Sequence, residues 1–271
     1  MYDYNTAAYN VRKRIIELGY IAGKNGAHFG SSLSMVEIFL CIYNEIVNVD
    51  KIIKKDDFRD RVILSKGHGA LCLFSILEYF KMLDTKKVET FNTNGTKFFS
   101  HAHKNLDDCI EFSGGSLGLG LSMATGIAIA LKSKKSDAKV ICVIGDGECD
   151  EGIVWESLMT AAHQNLSNLL IFVDNNGFQS DGKKENILNL FSLKNKFESF
   201  QCSTVECDGN STESLLEAYN SIKNTKKPKV IIANTIKGRG VDFMESNGDW
   251  HYGILNEKLY SKAIDSIKSR D

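Results

Sequence analysis

The sequence predicts an α/β fold, a doubly wound and mainly parallel sheet with helices on both faces. Three observations predict it. Short runs are apolar at every position, as in strands that are buried on both faces of a parallel sheet. Helical segments alternate with these runs, as the crossovers between parallel strands require. Polar residues follow each run directly, at the edge where ligands bind in such folds.

The elements are predicted in chain order as follows. Helical spacing of apolar residues predicts helices over Arg12–Tyr20, Ser34–Asn44, Ala70–Met82, Leu121–Leu131 and Ile153–Gln164. In the second of these helices, Ser34 and Glu37 have the spacing of a capping box. Continuous apolar runs predict strands over Arg61–Leu64, Lys139–Ile144, Leu169–Val173 and Lys229–Ala233. No repeat or low-complexity linker divides the chain, so we expect one domain over residues 1–271.

Composition excludes several classes of protein. The chain has 33 Lys and Arg against 34 Asp and Glu, which lacks the basic excess of a nucleic-acid-binding protein. Its seven cysteines are odd in number and include no CxxC pair, so we expect buried thiols in a reducing, cytoplasmic compartment. The stretch 112–131 has no charge and is long enough to span a membrane. Because it contains five glycines, we expect instead a glycine-rich loop that enters a buried helix, and no membrane partner.

Four predicted strands end in polar or glycine-rich segments. Asp146 follows one strand and Asn176 the next, thirty residues later, which leaves room for one helix and one strand between them. One carboxylate and one amide oxygen form part of the octahedral oxygen shell that Mg²⁺ prefers, and phosphates commonly complete it. Taken alone, Gly145-Asp146-Gly147 is more typical of a tight turn.

The glycine turn is not alone. Gly145-Asp146-Gly147-Glu148, Glu151-Gly152, Asp174-Asn175-Asn176 and Asp181-Gly182 form the thiamine diphosphate motif, and this motif resembles that of the transketolase family. The similarity continues, in the order of the family, through Ala27–Gly30, Ser65–Gly69, Gly114–Gly118, Ile236–Gly240 and Trp250-His251. The match covers only the N-terminal, diphosphate-binding half of that family. The chain therefore resembles the N-terminal subunit of a split transketolase.

The resemblance implies a metal site and a cofactor site. It implies that Mg²⁺ is bound by Asp146, by the side chain of Asn176 and by the backbone carbonyl of Phe178. It also implies that thiamine diphosphate is bound by His68, Gly114, Gly115, Ser116, Leu117, Gly147, Glu148, Asn176, Lys237 and His251. For Lys237, the alternative is a solvated loop lysine.

The resemblance also implies the catalytic groups. His28, His68, His101 and His251 fall on histidines of the family that line the substrate channel, where imidazoles suit proton transfer near neutral pH. Glu151 matches a glutamate near the subunit contact. The alternative for Glu151 is a role in the first turn of a helix, where the helix dipole favours an acidic side chain.

These residues imply transfer of a two-carbon ketol unit from a ketose or its phosphate to an aldose or its phosphate. The glutamate that activates the cofactor in this family, and the arginines that bind sugar phosphates, belong to the other half. We therefore expect this chain to be inactive alone. The expected partner is a C-terminal subunit with the pyrimidine-binding and C-terminal domains, in an α₂β₂ assembly.

Four segments depart from the pattern of the family: Phe29, Ser100–His103, Asp108-Cys109 and Leu119. Three of them are expected along the substrate funnel, so a specialised transketolase that acts on a sugar outside central metabolism is an alternative. Two further alternatives are the α subunit of a 2-oxo acid dehydrogenase and a cofactor-binding subunit without catalysis of its own. An NAD-dependent dehydrogenase is disfavoured, because no strand is followed by the GxGxxG fingerprint.

Overall fold

A five-stranded, wholly parallel sheet organises residues 2–269, the part of the chain that the computed structural model describes. Its strands lie in the order β1-β2-β3-β7-β6, and β4 and β5 form a separate antiparallel hairpin. The strands are β1 Arg61–Leu64, β2 Val140–Gly145, β3 Leu169–Asn175, β4 Phe178–Gln179, β5 Gly182–Lys183, β6 Ser203–Asp208 and β7 Lys229–Asn234.

Twelve α-helical segments are found within residues 2–269. The first six are α1 Tyr4–Ile21, α2 Gly30–Leu33, α3 Val36–Cys41, α4 Val49–Ile53, α5 Ala70–Tyr79 and α6 Thr85–Val88. The last six are α7 Leu119–Ser133, α8 Gly152–His163, α9 Lys184–Ile187, α10 Leu193–Ser199, α11 Thr212–Ile222 and α12 Glu257–Lys268. A π-helical turn over Ile42–Ile46 continues α3.

Helices cover both faces of the sheet, which confirms the predicted doubly wound architecture. Alternate residues of β2 point to opposite sides: Ile141 and Val143 join a core with α1, α3, α5, α11 and α12. Val140, Cys142 and Ile144 join a second core with α7, α8 and α10. We call these the five-helix face and the three-helix face. The five-helix core holds more than twice as many buried apolar residues as the other.

The register brings the strand ends together. Gly145 at the end of β2 lies opposite Asp174 of β3, and Asn175 lies opposite Asn234 of β7. Since all five strands are parallel, the segments that follow β1, β2, β3 and β7 meet at one edge of the sheet. The predicted polar segments are therefore neighbours in space.

The predicted strands are confirmed to within two residues at each end. The helix expected over Ser34–Asn44 begins two residues later, at Val36, and continues through the π-helical turn to Ile46. One local interpretation is wrong. Ser34 and Glu37 form no capping box. Ser34 donates instead to Asp174 Oδ2 at 2.7 Å, and Glu37 forms an ion pair with Arg12 at 2.6 Å.

The uncharged stretch 112–131 is a loop followed by α7, as predicted. Gly118 ends the loop with φ +82°, a left-handed conformation that favours glycine, and a Cβ there would lie 2.4 Å from Ile153 Cγ2. Across residues 2–269, no helix is both long and apolar enough to cross a membrane.

Candidate active site

A cavity of about 230 Å³ lies at the carboxyl edge of the sheet. One end is formed by the segments that follow β2 and β3, and the other by four histidines. Its lining consists of His28, Ser31, Lys66, His68, His101, Gly115, Leu117, Gly145, Asp146, Gly147, Glu148, Asn176, Phe178, Gln179, Ser180 and His251. Most of the sequence-predicted site residues thus meet around one space; Gly114, Ser116, Glu151 and Lys237 are outside the lining.

Asp174 organises the floor of the cavity. It is fully buried at the end of β3 and forms an ion pair with Lys66 Nζ, itself only 1% exposed. Its carboxylate also accepts hydrogen bonds from Ser34 Oγ at 2.7 Å, from Asn176 Nδ2 at 3.0 Å and from Thr235 Oγ1. A buried charge with this many donors is compensated, because each oxygen is hydrogen-bonded and the opposite charge is adjacent.

Asp146 and Asn176 point polar oxygens toward the same end of the cavity. Asn176 is oriented from both sides: its Nδ2 donates to Asp174, and its Oδ1 accepts from Phe178 N at 3.1 Å. Asp146 Oδ2 accepts from Gly177 N at 3.0 Å. Burial raises the pKa of Asp146 to about 6, against the lowering effect of Lys184. A carboxylate that is costly to keep charged when buried gains from a nearby cation.

This donor set fits Mg²⁺ and not a softer metal. Residues 2–269 contain no group of three or more His, Cys, Asp or Glu side chains placed to hold a metal. A cation at this end would therefore be held by one carboxylate, one amide oxygen and backbone carbonyl oxygen, with room for phosphate oxygens and water. Such oxygen ligation suits Mg²⁺.

Two close approaches of the backbone shape the same end. A Cβ on Gly147 would lie 2.8 Å from Gln179 Cγ. A Cβ on Gly67 would lie 2.8 Å from Gly115 N, and one on Gly114 would lie 2.6 Å from Gly67 Cα. The loop after β1 and the loop before α7 therefore cross with no space for side chains between them.

Glu148 ties these loops to β2. Its buried carboxylate accepts from Gly118 N at 2.6 Å, from Gly145 N at 3.1 Å and from the hydroxyl of Ser65. Burial raises the pKa of Glu148, and these hydrogen bonds oppose the rise. The side chain thus positions the surrounding loops, and its predicted contact with a cofactor stays a prediction.

Four imidazoles form the opposite end of the cavity. His28 is at the centre, with ring centroids 5.9 Å from His68, 5.2 Å from His101 and 5.3 Å from His251. Its Nδ1 is buried and has no hydrogen-bond partner among the protein groups of residues 2–269. A buried nitrogen of this kind can bind a water or a ligand.

Burial keeps these imidazoles neutral. Burial, together with smaller effects of the neighbouring imidazoles and Lys237, lowers the pKa of His28 to about 3 and that of His251 to about 4. Burial also lowers the pKa of His68 and of His101. At neutral pH the cluster therefore consists of neutral rings, each able to accept one proton and donate another.

Lys237 lies behind the histidines and is 1% exposed, so it is not a solvated loop lysine. Its Nζ donates to Gln179 O at 3.0 Å and lies 3.4 Å from His251 Nδ1. Burial, together with the charge of Lys66, lowers the pKa of Lys237 to about 8.

Some predicted positions lie elsewhere. Glu151 is exposed and precedes α8, outside the cavity lining, so its assigned role stays a prediction. Phe29, expected near the substrate funnel, is fully buried, packs against Trp250 at 6.0 Å and fills the space beside Gly19. Among the four departing segments, His101 alone reaches the cavity lining within residues 2–269.

Sequence reasoning assigned no role to five residues of the lining. Lys66 and Gly145 lie inside recognised segments, whereas Ser31, Gln179 and Ser180 lie outside them. Ser31 directly follows Ala27–Gly30, and the other two immediately precede Asp181-Gly182. The sequence signal that could have identified these three residues is that each lies next to a recognised segment.

The comparisons with known proteins agree with this geometry. Residues 6–267 match the family described as transketolase, thiamine diphosphate binding domain. The chain therefore belongs to this family, which confirms the predicted resemblance and the enzyme class, a thiamine-diphosphate-dependent transferase of the transketolase type.

Individual relatives extend the comparison. The chain is 35% identical to one subunit of the apulose-4-phosphate transketolase of Actinobacillus succinogenes, over 95% of this chain and 93% of that one. It is 34% identical to the 6-deoxy-6-sulfo-D-fructose transketolase subunit SqwG of Clostridium sp., over 91% and 90%. A transketolase structure from Campylobacter jejuni shares the fold, with TM-score 0.85 and 23% identity over 99% of this chain. The chain spans 43% of that longer protein.

Proposed function

We propose that this chain is the cofactor-binding subunit of a two-chain transketolase that moves a two-carbon ketol unit from a ketose to an aldose. The observation that carries the proposal is that the two ends of the cavity differ in their chemistry. Oriented oxygen ligands and bare glycine backbone form one end, and four neutral imidazoles form the other. A diphosphate with its metal fits the first end, and a sugar with several hydroxyl groups fits the second.

At the first end, Asp146, Asn176 Oδ1 and the carbonyl of Phe178 would hold Mg²⁺. Gly147 would donate to the diphosphate, His68 would donate to it from the histidine end, and Gly114–Leu117 would lie beside the rest of thiamine diphosphate. Lys237, buried beside Gln179, would contribute positive charge. When bound, thiamine diphosphate supplies the carbon nucleophile and the electron sink for the reaction.

At the second end, the imidazoles would handle protons on the sugar. His28 offers a partnerless, buried Nδ1, so it would accept or return the proton of the reacting hydroxyl. His251 would act with it, held 3.4 Å from Lys237, and His101 would contact a terminal hydroxyl of the donor. The crowding of these rings would also keep water from the reacting carbons.

The identity of the sugar has two candidates. The first is an ordinary ketose phosphate of the pentose phosphate type. The second is a specialised sugar, and it is favoured by the names of the relatives, which refer to apulose 4-phosphate and to 6-deoxy-6-sulfo-D-fructose. Both candidates are ketoses with an anionic group, so the same cavity would serve either.

The partner would be a C-terminal subunit in an α₂β₂ assembly. Two relatives of similar length are themselves named as transketolase subunits. The three-helix face also carries exposed apolar side chains: Phe191 is 84% exposed and Met159 62%, and Leu119, Met123, Ile187 and Leu188 are exposed as well. Of these, Leu119 lies two residues after Leu117 of the cavity in the sequence. We therefore assign the partner to this face.

The function is tested by co-expressing the chain with a candidate C-terminal subunit and measuring ketol transfer with Mg²⁺ and thiamine diphosphate. Xylulose 5-phosphate, apulose 4-phosphate and 6-deoxy-6-sulfofructose serve as donors. Transfer is expected only from the mixture, and only when Asp146 is intact. Asp265→Ala, on the exposed side of α12, is the matched control for Asp146→Ala. Transfer by this chain alone would refute the two-chain proposal.

The docking face is tested separately by Met159→Asp, which places a charge on the three-helix face. Ile53→Asp, at a position 45% exposed in α4, is its matched control. Co-purification with the partner is expected to be lost for the first variant and kept for the second. Equal association of both variants would place the partner elsewhere.

A further inference from the structure

Tyr252 stands at the mouth of the cavity, beside the catalytic candidates but outside the matched motif. Its ring contacts His28 edge-on, with centroids 4.7 Å apart and planes at 74°. It is the one ring other than a histidine in contact with His28 within residues 2–269. In this contact the Tyr252 ring lies against one side of the His28 imidazole.

The ring is fixed from two directions. The Tyr252 hydroxyl donates to the backbone carbonyl of Asn25. The next residue, Gly253, exchanges two backbone hydrogen bonds of 2.9 Å with Ala27. Gly26 lies under the ring with φ +61°, and a Cβ there would meet Tyr252 Cε1 at 2.8 Å. The wall is therefore rigid, and the backbone beneath it is shaped to accept a ring.

Tyr252 lines an outer pocket next to the cavity. This second pocket, of about 350 Å³, shares Ser180 and His251 with the cavity. Tyr252 lines the outer pocket together with Asp181 and Asp249, and does not line the inner cavity. Because its ring also contacts His28, a sugar that extends from His28 into the outer pocket would lie against it.

We propose that Tyr252 is a specificity-determining residue whose ring limits how far a ketose extends past His28 and shields that imidazole from water. The proposal rests on the proposed function for its account of the substrate. It predicts that the ring disfavours donors long enough to extend from His28 into the outer pocket. The hydroxyl serves to anchor the ring, and the ring itself is the barrier.

The first test compares donors of different length in the assembled enzyme. Xylulose 5-phosphate and sedoheptulose 7-phosphate are used with one common acceptor. In Tyr252→Ala, the ratio of kcat/KM for the seven-carbon donor to that for the five-carbon donor is expected to rise about tenfold, the scale of one group in a closed pocket. Tyr252→Phe keeps the ring and is expected to keep the ratio within about twofold. Ile254→Ala, exposed two residues away, is a local control.

The second test needs no partner and no activity. The titration of His28 is followed by NMR in the full chain, with His68, His101, His251 and Lys237 as the other titrating groups that face it or lie nearby. Removal of the ring admits water, so Tyr252→Ala is expected to raise the pKa of His28 toward its ordinary value near 6.5. Tyr252→Phe is expected to leave it unchanged.

The outcomes separate this proposal from the proposed function. If Tyr252→Ala changes neither the donor ratio nor the titration while the chain stays folded, the ring is not a barrier and the proposal is wrong. If the wild-type enzyme uses neither ketose, the ordinary ketose phosphate is excluded as its donor while ketol transfer from a specialised sugar is not, and the titration alone decides whether Tyr252 shields His28.

Discussion

The two ends of the cavity differ in how far their polar groups are already hydrogen-bonded by the protein. At the floor, the Asp174 carboxylate accepts hydrogen bonds from four side chains, so this buried charge is compensated before any ligand binds. At the other end, the buried Nδ1 of His28 has no protein partner within residues 2–269, and the rings contact one another at tilted and edge-on angles. The difference indicates that the floor is rigid and preorganised, whereas the histidine end holds its hydrogen-bonding capacity for the substrate.

The largest effect is expected from Asp146→Ala. It removes the carboxylate that would hold the metal, so ketol transfer should fall by at least about 10³-fold, equivalent to several kcal/mol of stabilisation by the metal. The stability of the metal-free chain should not fall, because this buried carboxylate is costly to keep charged. Calorimetric titration of thiamine diphosphate and Mg²⁺ measures the cofactor affinity, and thermal melting of the free chain measures its stability. Undiminished cofactor affinity would mean that the metal is held elsewhere.

The next effect is expected from His28→Ala at the other end. Loss of a group that transfers a proton typically costs about 10²- to 10⁴-fold in rate. We expect a loss in that range in kcat with cofactor affinity nearly unchanged, since the floor is intact. His103→Ala, an exposed histidine two residues from His101, is the control and should behave as wild type. A parallel fall in cofactor affinity would show that the two ends do not act separately.

A third change, Lys66→Met, breaks the ion pair beneath the floor. It leaves the fully buried Asp174 without its positive partner, a loss that typically costs about 3–5 kcal/mol of stability. Urea unfolding of the free chain should show this, and Lys258→Met on the surface should show almost no change. A loss below about 1 kcal/mol, the net worth of a single ordinary hydrogen bond, would mean that Ser34 and Thr235 suffice for Asp174.

The smallest effect is expected from pH acting on the stability of the folded chain. The sign of this effect differs between the two ends of the cavity. His28 and His251 have folded pKa values of about 3 and about 4, below their ordinary 6.5, so the unfolded chain binds more protons between these values. Their contribution to stability is therefore lost as pH falls below about 6.5. Asp146 has a folded pKa of about 6, above its ordinary 3.8, so its burial costs less as pH falls from about 6 to about 4.

Because the lowered pKa values of four histidines oppose the raised pKa values of Asp146 and Glu148, the thermal midpoint of the metal-free chain should fall between about pH 7 and about pH 5. The fall should be steeper in Asp146→Ala and shallower in His28→Gln. Melting curves at several pH values measure all three proteins. A midpoint that rises on acidification would mean that the carboxylates dominate, contrary to the directions above.

Much of this arrangement was predictable because it is local in the sequence. The segments after β1, β2, β3 and β7 carry their own signature, and parallel pairing alone brings them to one edge. The missing parts depend on distant contacts. Ser34 reaches Asp174 across 140 residues, and Phe29 is buried by Trp250 and Gly19.

Composition explains why one strand of the main sheet, β6, was missed, since the other edge strand, β1, was predicted. Within residues 2–269, β6 pairs with β7 alone, and its residues alternate between partly buried and exposed positions toward its end. Its sequence, Ser203–Asp208, therefore contains no continuous apolar run of the kind that marked the other four strands. The periodicity that identifies central strands does not identify an edge strand of this composition.

The exposed apolar side chains of the three-helix face have a consequence for how such an enzyme is produced. A surface that presents Phe191 and Met159 to water favours self-association when nothing covers it. A cell that makes this chain in excess of its partner would therefore accumulate a species prone to aggregation and degradation. Matched synthesis of the two chains would then be as necessary for a working enzyme as any residue in the cavity.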